Sequence, residues 1–191
     1  MINEVTYLSS DELEGRETGT KGELLAAKYI STKFEEYGLI GKGTDGFFQK
    51  FEASIKENPH SNTIKRKIEA TNVVAYKDNQ AKETIIIGAH YDHIGYGNFG
   101  SLYDGENEIH NGADDNATGT AALLEIASAF QKAQKEGVEF KRSILFFPNS
   151  AEEKGLLGSY YYVENPAYPI ENTVACLNID MIGRTDRFHP K

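Results

Sequence analysis

The sequence is poor in features that would place it in several protein classes. Its 191 residues include a single cysteine, Cys176, which excludes a disulfide within the chain. No apolar run approaches the roughly 18 residues of a membrane span, and the first ten residues lack the basic and then apolar pattern of a signal segment. We therefore expect a soluble chain without a membrane span.

Positive charge is also scarce. The chain has 20 Lys and Arg against 29 Asp and Glu, a formal net charge of -9. This balance gives no electrostatic basis for binding phosphate backbones, so we expect no nucleic-acid partner. Ten Phe, eleven Tyr and 39% hydrophobic residues suffice for a buried core, and residues 1–191 are predicted to form one globular domain.

Two segments have helical patterns. Thr20 and Glu23 have the spacing of a capping box, apolar residues then recur at helical intervals, and Gly38 can end the helix. The second segment has an apolar stripe that includes Leu123 and ends at Gly137. Both helices are expected to cover a sheet.

Several short apolar runs are predicted to be strands. Those at 83–90, 143–148 and 172–181 are continuous, as in strands covered on both faces, and those at 45–51 and 71–77 are also predicted to be strands. Residues 54–69 show no clear period and are interpreted as a loop or irregular excursion. Cys176 is expected to be a small buried core residue. The order of elements predicts an α/β fold in three layers, a mostly parallel mixed sheet with helices on both faces.

Polar residues of metal-ligand type follow the ends of the central strands. In an open α/β sheet these ends meet at one edge, where ligands bind. The residues are His90 with Asp92 close behind, Glu152 and Glu153, Asp180, and Asp114 or Asp115 before the second helix.

So many carboxylates at one edge require a cation. Two like charges about 4 Å apart repel by roughly 4 kcal/mol at an effective dielectric of 20, and a helix N-terminus offsets only about 0.3–1 kcal/mol. Histidine with carboxylates suits catalytic zinc. Asp92 is placed to accept the other ring N–H of His90, and one glutamate of the Glu152–Glu153 pair remains free to act as a base. The residues alone do not choose between Asp114 and Asp115.

Simpler interpretations exist for some of these residues. The Glu152–Glu153 pair could be a charged helix start favoured by the helix dipole. His60, His93 and His110 do not end predicted strands and are expected to be loop or surface residues, with His93 close to the site but not binding metal. Asp104 is expected to be a solvated loop charge.

Five linked motifs resemble a known family. The segments LSSDELEGRETGT, AHYDHIG, NGADDNATG, SAEEKGLLGS and NIDMIGR are similar, in order and spacing, to those of the co-catalytic zinc aminopeptidases. That family includes bacterial leucyl-type aminopeptidases, with glutamate carboxypeptidases and glutaminyl cyclases as relatives. The resemblance implies a zinc-exopeptidase fold and two zinc ions.

The resemblance also implies roles for individual residues. Asp115 would bridge the two ions, with His90 and Asp180 on one ion and Glu153 on the other. Glu152 would be the general base for a water that bridges the ions, and Asp92 the partner of His90. The implied reaction removes N-terminal residues from peptide substrates. The alternatives are a glutaminyl cyclase or carboxypeptidase, and a non-catalytic interaction module of the same fold.

The sequence departs from the family pattern at its C-terminal end. The family's second zinc takes a histidine from further along the chain, and only His189, in the tail before Lys191, follows Asp180 here. We therefore expect the N-terminal part of a catalytic domain, with a weak second site and poor activity. An exposed sheet edge would then permit dimerisation. Exported relatives suggest an extracellular or periplasmic location.

Overall fold

A five-stranded mixed sheet forms the centre of the protein. The computed structural model describes residues 1–56, 63–98, 100–103 and 105–184. The helices are α1 (Ile2–Leu8), α2 (Lys21–Glu36), α3 (Gly119–Lys135) and α4 (Leu157–Glu164). The strands are β1 (Ile40–Gly41), β2 (Phe48–Lys56), β3 (Ile64–Val73), β4 (Ala75–Lys77), β5 (Thr84–His90), β6 (Ser143–Asn149) and β7 (Thr173–Asn178).

The strands of the central sheet have the order β1-β4-β6-β5-β7. Strand β5 is parallel to both β6 and β7, whereas β4 is antiparallel to β6 and to the short β1. The predicted α/β fold with a mixed sheet is confirmed. The three strands that pair in parallel, β5, β6 and β7, are those that the continuous apolar runs predicted.

Helices cover both faces of the sheet because its central strands are apolar on both sides. Ile87 and Ala89 of β5 pack into a core that includes residues of α1, α2 and α3. Ile86, the residue before Ile87 and therefore on the opposite face, packs with Tyr162 of α4. This alternation of side chains along a strand produces the three predicted layers.

Helix α2 begins as its sequence predicts, with one difference in the cap. The Thr20 hydroxyl accepts a hydrogen bond from the Glu23 N–H at 3.4 Å, but the Glu23 carboxylate accepts from the Gly19 N–H at 2.6 Å rather than from Thr20. Gly38, with φ of +76°, follows the end of the helix. The backbone conformation suits glycine at this position.

Residues 54–56 and 64–69 belong to strands, so the loop interpretation of this stretch was wrong. β2 and β3 pair antiparallel from Phe48 opposite Val73 to Lys56 opposite Ile64, forming a ribbon apart from the main sheet. Its apolar residues alternate, and Phe51, Ala53 and Ile55 are buried on one side, in a cluster that the α4 region joins. The other side is polar, so the ribbon has the alternation of a half-buried pair of strands.

The prediction that Cys176 is buried was also wrong. Cys176 is exposed, as are most residues of β7. Among the strands of the described residues, β7 lies at the edge of the central sheet and pairs with β5. Among the described residues no helix is both long and apolar enough to span a bilayer.

Candidate metal centre

The carboxyl ends of β5, β6 and β7 lie side by side. His90, the last residue of β5, is in register with Asn149, the last residue of β6, and Gly88 is in register with Asn178 at the end of β7. The side chains that follow these strands therefore lie at one edge of the sheet.

His90, Asp115 and Asp180 meet at this edge. The Nε2 atom of His90 lies 3.2 Å from Asp115 Oδ1 and 3.5 Å from Asp180 Oδ1. Asp114 faces another way, accepting a hydrogen bond from the Gly183 N–H at 2.8 Å. The choice that the residues left open between Asp114 and Asp115 therefore falls on Asp115 by geometry.

These separations fit a tetrahedral zinc ion. Ligand atoms about 2.0–2.2 Å from such an ion lie roughly 3.3–3.6 Å from one another. The 3.5 Å separation lies within that range, and the 3.2 Å separation is just below it. One imidazole and two carboxylates are also the donor types of catalytic zinc sites. The ligand-type atoms of all three residues lie within 4.8 Å of one another, so together they could hold one ion.

The charges at this edge favour a cation. Burial lowers the pKa of His90, but hydrogen bonds to Asp115 and Asp92 and the nearby carboxylates outweigh that effect and raise the pKa to about 11. The hydrogen bond with His90 in turn lowers the pKa of the Asp115 carboxyl. The imidazole ring of His90 is therefore protonated and positively charged in the absence of metal. A metal ion that binds His90 must displace this proton.

Asp92 organises the Glu152–Glu153 pair. It is fully buried, and its two carboxylate oxygens accept hydrogen bonds from the main-chain N–H groups of Glu152 at 3.1 Å and Glu153 at 3.4 Å. The His90 Nδ1 atom lies 3.2 Å from the Asp92 main-chain oxygen and 3.7 Å from its Oδ1. Asp92 is therefore beside the other ring nitrogen of His90, with its main-chain oxygen the nearer acceptor.

Glu152 and Glu153 have different surroundings. Burial raises the pKa of the Glu152 carboxyl, and the carboxylates of Asp92 and Glu153 raise it further, against an opposing effect of His90. Glu153 instead has its Oε1 atom 2.8 Å from His93 Nδ1. The two neighbouring carboxyl groups are thus prepared for different tasks.

The ring of His93 lies within the candidate metal centre, although this residue does not end a predicted strand. It is almost buried, and with Asp115 and Glu153 it forms a second group whose ligand-type atoms all lie within 4.8 Å of one another. Asp115 belongs to both groups. In the sequence, the position of His93 directly after Asp92, beyond the end of β5, was the only indication that it lies near the metal centre.

The remaining histidines play no part in these groups within the described chain. His110 has its Nε2 atom 3.2 Å from the Ser101 hydroxyl, in the loop where it was expected. His60, His189 and Asp104 lie outside the described residues, so the expectations for them are not tested.

Three buried polar residues near the N-terminus also reach this region. The sequence placed Arg16 and Thr18 in the first of the five motifs and Glu23 in the capping box, but assigned none of them to the site. The Arg16 guanidinium donates to main-chain oxygens on both sides of the site, including Tyr91 O at 2.7 Å and Gly112 O at 3.0 Å. The Thr18 hydroxyl donates to Asp92 Oδ2 at 3.0 Å. Glu23 accepts from Thr71 N–H at 3.1 Å and from the Ser150 hydroxyl, and burial raises its pKa to about 7.

The chain is similar to known peptidases in sequence and in fold. The chain is 34% identical over 122 residues to an aminopeptidase of Pseudomonas aeruginosa, an alignment covering 63% of this chain and 19% of the relative. A Zn-dependent exopeptidase of Parabacteroides distasonis has a similar fold, with a TM-score of 0.72, 20% identity and coverage of 96% of this chain and 61% of the other. Bacteroides thetaiotaomicron glutaminyl cyclase superposes with a TM-score of 0.71, 22% identity, and coverage of 94% and 60%.

The chain spans about half, or less, of the length of the curated relatives that it matches. The family model described as Peptidase family M28 matches residues 72–189, a stretch that holds His90, Asp115, Asp180 and both glutamates. The resemblance seen in the sequence motifs is therefore confirmed, and the chain belongs to peptidase family M28.

Proposed function

We propose that this protein is the catalytic part of a zinc-dependent aminopeptidase that hydrolyses N-terminal residues from peptides. One observation carries the proposal: His90 Nε2 lies at ligand separation from both Asp115 and Asp180, beside an adjacent pair of glutamates. Membership of a peptidase family and the aminopeptidase relative support the reaction type.

In this proposal, His90, Asp115 and Asp180 hold the first zinc ion. Bound zinc would supply Lewis acidity, lowering the pKa of water to about 7 and polarising the scissile carbonyl group. The chain's contribution is the fixed placement of its ligands at the strand ends, supported by the hydrogen bonds that Asp92 makes to the glutamate pair.

Glu152 is the proposed general base. It takes a proton from the attacking water and returns a proton to the leaving amino group. The raised pKa of its carboxyl brings it closer to neutral pH, where an acid–base catalyst works best. Such a group typically contributes about 10²- to 10⁴-fold to the rate. Glu152 is suited to this task because it belongs to neither group of ligand-type residues.

A second ion is proposed at Asp115 and Glu153, with Asp115 bridging the two. His93 is the histidine that adjoins it in the described chain. Its 2.8 Å separation from Glu153 is a hydrogen-bond distance, shorter than the roughly 3.3 Å between zinc ligands. The pair must therefore separate before both bind an ion. We expect the second ion to be bound more weakly than the first.

The runner-up function is a glutaminyl cyclase, favoured by the structural likeness to the B. thetaiotaomicron enzyme. Two peptides separate the possibilities, one with N-terminal leucine and one with N-terminal glutamine, each incubated with the zinc-loaded protein and analysed by mass spectrometry. An aminopeptidase releases the first amino acid, whereas a cyclase converts the glutamine peptide to its pyroglutamyl form. N-acetylated leucine peptide and the Glu152→Gln variant are the controls.

Zinc binding without either product would contradict both enzymatic proposals and favour a non-catalytic module. We also propose that the exposed β7 edge permits association of two copies, since an unpaired strand can accept a partner strand. Light scattering that shows only monomer at high protein concentration would contradict this second proposal.

A further inference from the structure

The segment Gly15–Thr18 lies outside the family match at residues 72–189, yet it contacts the centre of the site. Arg16 has only 1% of its surface exposed, and it is among the largest fully buried side chains. Glu14, Gly15 and Arg16 all have positive φ angles, of 46°, 68° and 48°. Such a run is unusual for residues with side chains and requires surroundings that hold it in place.

The Arg16 guanidinium joins the two loops that carry the first metal ligands. Its Nε donates to Tyr91 O at 2.7 Å, directly after His90 in the chain. Its Nη1 and Nη2 atoms donate to Asn111 O at 2.8 Å and Gly112 O at 3.0 Å, shortly before Asp115. Nη1 also donates to Leu8 O. Because the guanidinium is planar and rigid, these bonds fix the distance between the two loops.

The main chain and Thr18 extend this connection to the other ligands. Arg16 O accepts a hydrogen bond from the His93 N–H at 3.2 Å, and Thr18 Oγ1 donates to Asp92 at 3.0 Å. Asp92 in turn accepts from the N–H groups of Glu152 and Glu153. One short segment is thus bonded, directly or through Asp92, to the loops after β5 and β6 and to the loop before α3.

The charge of Arg16 is also placed among the acidic side chains. Burial lowers its pKa to about 10, while the carboxylates of Asp92, Asp115 and Glu153 raise it, so the guanidinium stays protonated at neutral pH. Within the described residues, its side chain donates hydrogen bonds to main-chain oxygens, which leaves those carboxylates available to a metal ion.

We propose that Arg16, with Thr18, is a positioning residue of the metal centre: it sets the separation of His90 and Asp115 and thereby the affinity for zinc. This inference rests on the proposed metal site. Arg16 and Thr18 are proposed to touch neither the metal nor the substrate. Substituting them must therefore change the affinity for zinc, and not only the overall stability of the protein.

The test measures the zinc dissociation constant by competition with a chromophoric chelator in four proteins. These are the unchanged chain, Arg16→Lys, Thr18→Val and the control Arg142→Lys, whose arginine forms an exposed pair with Glu83. Lysine keeps the charge but cannot donate to oxygens on both loops. We expect a 10- to 100-fold rise in the dissociation constant for Arg16→Lys, a smaller rise for Thr18→Val and none for the control.

Two further measurements separate positioning from a purely structural role. The d–d spectrum of the Co²⁺-loaded protein should change in Arg16→Lys, because the ligand geometry changes. A variant that loses thermal stability in chelator but keeps the zinc affinity and the Co²⁺ spectrum would overturn the proposal. If Arg16→Lys does not fold, Thr18→Val decides, and an unchanged affinity there overturns it. Absence of zinc binding by the unchanged chain would refute the metal site itself.

Discussion

Substitution of Asp180 should separate metal binding from fold stability. Asp180→Asn removes one carboxylate from the first ligand group while preserving the size of the side chain. Its side chain is 42% exposed, so water screens its interactions with Asp115 and His90. In the presence of chelator, we therefore expect the free energy of unfolding to change by less than about 1 kcal/mol.

With zinc, the same substitution should have a large effect. Free zinc at about 100 times the dissociation constant stabilises the unchanged protein by about 2.7 kcal/mol. For a chain of this size, that raises the melting temperature by roughly 5–11 °C. If Asp180→Asn weakens zinc binding about 100-fold, the stabilisation at the same zinc concentration falls to about 0.4 kcal/mol, or roughly 1–2 °C.

The assay is thermal unfolding followed by circular dichroism, with chelator and with zinc. Asp45→Asn is the control, since Asp45 is an exposed aspartate in the turn before β2. It should keep the full zinc-dependent rise in melting temperature. A full rise in Asp180→Asn as well would refute the assignment of Asp180 as a ligand, even if both variants fold normally.

Three further predictions concern the base, a buried acid and a loop. Glu152→Gln should slow peptide hydrolysis by about 10²- to 10⁴-fold and leave the zinc dissociation constant unchanged; a parallel loss of zinc affinity would contradict its role as a base. Glu23 has a folded-state pKa of about 7 against 4.5 in the unfolded chain, so the folded state binds its proton more tightly. The free energy of unfolding should fall by about 3 kcal/mol as pH rises from below 4.5 to above 7, and Glu23→Gln should remove this slope in urea titrations; an unchanged slope would contradict it. Gly112→Ala should weaken zinc binding, because the added Cβ would lie 2.5 Å from Asp115 O, whereas Gly38→Ala, with a similar positive φ and nothing within 4 Å, should affect stability alone. Equal zinc affinity in both glycine variants would show that this loop tolerates the displacement.

The strands that carry the ligands were predictable because their residues are apolar on both faces. The runs that became β5, β6 and β7 needed no knowledge of their neighbours, and parallel pairing then brought His90, the glutamates and Asp180 to one edge. Asp115 could not be distinguished from Asp114 by the same logic. The side chains of two adjacent residues point in different directions from nearly the same place. Which of them faces His90 depends on the conformation of the loop between Gly112 and α3.

Other features depend on contacts between distant segments. The β2–β3 ribbon lies apart from the main sheet, and its one apolar side is buried against residues of the α4 region, which are far away in the sequence. Cys176 has the composition of a core residue but lies in an edge strand. The position of Arg16 is likewise set by main-chain oxygens of two distant loops, and carbonyl groups leave no trace in the sequence.

An anomalous difference map from crystals of the chain grown with zinc tests the metal centre most directly. In data collected at the X-ray absorption edge of zinc, we predict a strong peak about 2.0–2.2 Å from His90 Nε2 and from carboxylate oxygens of Asp115 and Asp180. A weaker peak is expected between Asp115 and Glu153. Absence of a peak at His90, or zinc bound only at other surface residues, would contradict the proposed enzyme.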